Sequence, residues 1–175
     1  MTVQSITTLR ERDLHLFPLE GLLPAGQILS VNTTYLIVSL VSVTRVNGNP
    51  ILLERSVTEP NMRLLLPLLD FPHYCPHEIL RASLFYSYQR LLAGLFSTES
   101  IAKEEWLATI EEQRLLLERA QELGAWKKVL KPLYKALSEL RSKLHPFGLE
   151  IAISISSSAY ALMALSLLQE QTSVC

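Results

Sequence analysis

The residues best suited to chemistry lie in one stretch, 126–145, where six basic residues oppose only Glu139 and leave a net charge of +5. The chemistry such a run can do is non-covalent: lysine and arginine neutralise phosphate oxygens and release the counterions condensed on a nucleic acid. The stretch before it, 99–125, has the opposite character, with seven Glu against Lys103, Arg114 and Arg119, net −4. Residues 1–98 are balanced, seven basic against seven acidic, so the formal total of −1 conceals an acidic segment leading directly into a basic one.

A second cluster, His73, Cys75 and His77 beside Asp70, has the residue types of a metal site or a Cys/His nucleophile. Zinc needs a further ligand pair, and only His15, His145 and Cys175 remain to supply it, so the cluster is read as an ordinary loop. A Cys/His pair this close in sequence seldom reaches attack geometry, and no oxyanion-hole motif accompanies it. The six glycines are too scattered to form a phosphate-binding loop. The expectation is a non-enzymatic protein with no catalytic residues, metal or cofactor.

Position along the chain decides how the cations are displayed. Leu133, Leu137, Leu140 and Leu144 recur at spacings of four, three and four, one apolar face of a helix. Lys131, Lys135, Ser138 and Ser142 fall roughly opposite, with Lys128 and Glu139 beside them. Pro132 fits a first helical turn, which sets the regular helix at 131–144. After His145-Pro146-Phe147-Gly148, Leu149, Ile151, Ile153 and Ile155 alternate with polar neighbours, the period of a half-buried strand. Ser156, Ser157 and Ser158 supply a turn, and 160–162 the return strand.

Upstream, Thr58 can cap a helix with Pro60 in its first turn, continuing through Leu64, Leu65, Leu68 and Leu69 with a kink or interruption at Pro67. A second helix is expected from Pro76, through Ile79, Leu80 and Leu84 toward Leu95. A third, acidic one opens at Ser100, carries Trp106, Ile110, Leu117 and Leu123, and stops at Gly124. Before the helices, the β-branched run 35–46 meets Asn47-Gly48-Asn49 and a second apolar run at 51–53, a strong hairpin signal. A short strand is expected around 14–19.

In this order the segments resemble a known family. LYKALSELRSKLHPFGLEIAISISSSAYALM is similar to the end of the winged-helix DNA-binding domain of OmpR/PhoB-type response regulators and the related antibiotic regulatory proteins, in which a Leu-Arg-x-x-Leu helix end precedes a hairpin closing in Gly-Tyr-x-Leu. Leu140, Arg141, Lys143 and Leu144 match the first element, and Tyr160 and Leu162 the second. VSLVSVTRVNGNPILLERS resembles the family's N-terminal sheet, and MRLLLPLLDFPHYCPHEILRASLF its first two helices. The resemblance implies an α+β fold: a winged helix-turn-helix with an N-terminal antiparallel sheet and a C-terminal β-hairpin wing, here with a helical insertion. It would comprise an arm or short strand at 1–34, the winged-helix domain at 35–165 with the insertion at 86–124, and a tail at 166–175.

The function implied is transcriptional regulation by binding double-stranded DNA, with the helix at 131–144 in the major groove. Lys131, Lys135, Ser138 and Ser142 would face bases or phosphates, with Lys128, Arg141 and Lys143 flanking them. The family's wing usually carries Arg and Gly near its tip, whereas 154–159 has neither. The competing reading is therefore a winged helix that docks another protein, the acidic insertion being a candidate partner surface.

The wider composition is compatible with both. A chain of 175 residues, 49% hydrophobic, buries one sizeable core and leaves apolar surface for a homodimer or partner. Two cysteines suit a reducing cytoplasm. The N-terminus lacks the basic region and apolar core of a secretory signal, and 151–168 is too serine-rich for a membrane span.

Overall fold

A computed structural model describes residues 13–44, 48, 50–154 and 159–166. The fold is mixed α+β, and the chain divides into two compact units between Val57 and Thr58.

The first unit is a four-stranded antiparallel sheet in chain order: β1 (Leu14–Phe17), β2 (Gln27–Asn32), β3 (Ile37–Ser42) and β4 (Ile51–Ser56). β1 is the short strand expected near the N-terminus; β2 was not foreseen. Its QILSVN pattern is weak by itself, but Leu29 and Val31 are completely buried and the strand is paired along both edges. The β2–β3 turn is closed by Asn32, whose Oδ1 accepts the N–H groups of Thr34 (3.1 Å) and Tyr35 (2.9 Å). Leu36 ends it at φ +55°, a conformation most side chains avoid. β3 and β4 form the expected hairpin; of its turn, Asn47 and Asn49 lie outside the described residues and Gly48 has φ +80°.

The second unit begins with α1 (Glu59–Asp70). Thr58 caps it as expected, its Oγ1 accepting the Asn61 N–H at 3.3 Å. Pro67, expected to kink or interrupt α1, lies inside the helix, which continues to Asp70. β5 (Cys75–Pro76) leads into α2 (His77–Phe85), α3 (Tyr88–Phe96), α4 (Ser100–Glu122) and α5 (Trp126–Leu144). A single 3-10 turn precedes β6 (Leu149–Ser154), which pairs with β7 (Ala159–Ala164). β5 adds to the other edge of β7, giving a three-stranded antiparallel sheet in the order β5-β7-β6.

Two helix boundaries differ from the sequence expectation. The helix expected from Pro76 toward Leu95 is broken at Tyr86–Ser87 into α2 and α3, although neither residue is a helix breaker. The break has a tertiary cause: Arg63 of α1 donates from Nη1 to the carbonyls of Leu84 (3.4 Å) and Tyr86, satisfying acceptors that end a helix. The helix expected at 131–144 starts earlier, at Trp126, and takes Pro132 into its interior.

The main core of this unit joins Leu64, Leu65 and Leu68 of α1 to Leu130, Leu133 and Leu137 of α5, over Leu149, Tyr160 and Leu162 of the sheet. A second cluster, Ala82, Leu91 and Trp106, joins α2, α3 and α4. There α3 meets α4 so closely that a Cβ added at Gly94 would lie 2.6 Å from Trp106 Cβ.

Candidate nucleic-acid interface

Helix α5 is positioned from both ends. At its start, Gly124 takes φ +68°, Gly124 N–H donates to Gln121 O (3.2 Å) and Ala125 N–H to Ala120 O (2.7 Å), the paired bonds of a Schellman turn. The chain leaves α4 there and enters α5 without an intervening loop. Leu133, Leu137, Leu140 and Leu144 form the buried face that the spacing predicts, and Leu130, before the expected helix, joins it, all at most 1% exposed. That face packs on α1, α2 and β6.

At its end, α5 is tied to β6. Arg141 Nε donates to Ile151 O (3.0 Å) and lies 3.3 Å from Glu150 Oε1. Glu150 also accepts the Ile151 N–H (2.8 Å) and sits 2.7 Å from His145 Nε2. The register between helix and strand is therefore fixed by a small polar network at the edge of the core.

The opposite face is solvent-exposed. Lys128, Lys131, Lys135, Ser138, Ser142 and Lys143 are all exposed, and Lys131, Lys135, Ser138 and Ser142 follow one another at spacings of four, three and four. Ser142 Oγ donates to the carbonyl of Glu139 (2.8 Å). Among the described residues no lysine of α5 forms an ion pair; on the acidic helix two of the six glutamates are paired within α4, Glu111 and Glu118 with Arg114. That pairing holds the Glu111 carboxyl below its usual range, chiefly through the hydrogen bond from Arg114.

Arg141 is the exception among the expected site residues. It is half-buried, and its Nε is committed to β6. Two residues of the exposed face were not singled out from sequence, Lys127 and Tyr134. Both fall on the Lys131–Ser138 side by helical spacing; for Tyr134 that follows from the expected helix at 131–144, for Lys127 only once the helix is extended back to Trp126. The hairpin serines Ser156, Ser157 and Ser158 lie outside the described residues.

The His73, Cys75 and His77 loop is pulled apart by the fold. His73 is exposed, whereas Cys75 is buried in β5 and His77 is buried with its ring against the edges of Tyr160 (4.9 Å), Trp126 (5.6 Å) and Tyr134 (6.5 Å). Burial, reinforced by Glu78 and Asp70, pushes the Cys75 thiol up to about 12, so it is protonated at neutral pH and packs as a small apolar group. Among the described residues no three His, Cys, Asp or Glu side chains gather as a metal-binding group, and no helix is long and apolar enough to cross a membrane. Comparison with family models, with curated proteins and with solved structures finds no match.

Proposed function

We propose that this chain is a cytoplasmic, winged-helix regulator of transcription that binds double-stranded DNA by laying the exposed face of α5 in the major groove. The observation that carries the reading is the row of exposed lysines on α5, free of acidic partners beside a helix whose acids are partly satisfied internally. The order α1, β5, α2, then α5 and a β6–β7 hairpin supports it, because a winged helix needs a recognition helix followed directly by its wing. On this reading α3 and α4 are the insertion, and Lys127 joins Lys128, Lys131, Lys135 and Lys143 as a phosphate contact. Ser138, Ser142 and Tyr134 are the groups that reach base edges or sugars. The chain acts as a homodimer, as two half-sites would require.

Fluorescence anisotropy with a labelled random-sequence duplex at two salt concentrations tests this. Binding should weaken steeply with salt, with a log–log slope of about −0.9 per phosphate neutralised. The double change Lys131→Ala/Lys135→Ala should reduce that slope by about two. No binding at low salt would abandon the DNA reading for the second one, a protein-docking module. That alternative is favoured by the exposed apolar residues Ile101, Leu107, Leu115, Leu116 and Leu123 on and just beyond α4.

A further inference from the structure

Beside the Trp106 cluster lies a cavity of about 240 Å³ between α1, α2, α3 and α4. Its walls are apolar: Ile79, Leu95, Trp106 and Ile110 line it, with Gly94, whose missing side chain lets Trp106 pack directly on α3. The two charged residues that line it, Asp70 and Lys103, are both exposed and therefore border its mouth. They are not an ion pair, since no contact within 4.0 Å joins them. Burial nonetheless raises the Asp70 carboxyl, and the charge of Lys103 partly offsets the rise.

We propose that this cavity binds a free α-amino acid with an apolar side chain, its ammonium on Asp70, its carboxylate on Lys103 and its side chain against Trp106 and Leu95. Size and charge both select that class. At roughly 30 Å³ per liquid water, the cavity has room for about eight waters, below the range of drug-sized ligands. A neutral hydrophobe of that size would fill the apolar walls and leave both charges at the mouth unpaired. An amine or a carboxylic acid would pair only one. A zwitterion satisfies both through charge-assisted hydrogen bonds while its side chain is removed from water. The site does not depend on whether α5 meets DNA.

Calorimetric titration of the whole chain with L-phenylalanine and L-leucine tests the assignment, with phenethylamine and 3-phenylpropionate as singly charged analogues. Phenylalanine should bind at least about tenfold more tightly than either analogue. Lys103→Met should remove that advantage over phenethylamine while leaving phenethylamine affinity unchanged, and Asp70→Asn should do the same against phenylpropionate. Both side chains are exposed, so circular dichroism should show either variant folded. The proposal is overturned if the wild-type chain takes up neither amino acid at about 10 mM. It is also overturned if the analogues bind as tightly as phenylalanine, or if the two substitutions leave amino-acid affinity unchanged.

Discussion

Helices α4 and α5 follow one another across a single glycine turn, and they treat their charges in opposite ways. α4 is acidic and charged on several sides, with only Trp106, Leu117 and Ala120 buried, and one of its two arginines, Arg114, folds back onto Glu111 and Glu118. α5 separates its residues cleanly: five leucines are buried, and the lysines are held out with Glu139 among them, none of them ion-paired among the described residues. The sign of a segment is thus a poor guide to its availability. What matters is whether its charges are actually paired: on α4 Arg114 reaches Glu111 and Glu118, whereas on α5 Glu139, four residues from both Lys135 and Lys143, forms an ion pair with neither among the described residues.

The comparison can be broken most forcefully within α5. Leu133→Ala on the buried face should cost about 2–5 kcal/mol in urea unfolding, whereas Lys131→Ala should move stability by no more than about 0.5 kcal/mol. Comparable losses would mean that the two faces are not distinct. A smaller effect separates clamp from contact at Arg141. Arg141→Met removes the bond to Ile151 O and should destabilise by about 1–3 kcal/mol. If Arg141 serves only to hold β6, the salt slope of duplex binding is unchanged in that variant; a fall of about one would make it a phosphate contact. The smallest effect is expected on α4. Glu118→Gln breaks an exposed pair and should leave the urea midpoint essentially unmoved and change duplex affinity by less than about threefold. A tenfold gain in affinity would instead make α4 a counter-charge to α5.

Much of this arrangement is legible in local pattern. Thr58 and Pro60 mark the start of α1, the leucine spacing of α5 identifies its buried face, and the alternation at Leu149 and Ile151 places β6. The parts that escape are those created by residues distant in sequence. Nothing near Tyr86 breaks a helix; Arg63, twenty-three positions earlier, does so by binding its carbonyl. β2 is a strand because β1 and β3 pair with it. Arg141 looks like a surface cation until Ile151 O is brought beneath it, and the cavity beside Trp106 has walls from four helices, so no segment contains it. Pro132 misled for a different reason: its preference for a first turn is real, but the buried leucines on both sides of it outweigh the cost of one lost hydrogen bond.

That proline divides α5 into parts with different lifetimes. With no N–H at 132, the carbonyl of Lys128 has no helical donor, and the turn carrying Lys127 and Lys128 is joined to the rest by one rung fewer. Opening of this turn need not disturb Leu137, Leu140 or Leu144, so its amides exchange with solvent water ahead of those in the C-terminal half. Hydrogen exchange resolved by residue is therefore expected to show the amides around Lys127 and Lys128 exchanging ahead of the one at Lys135.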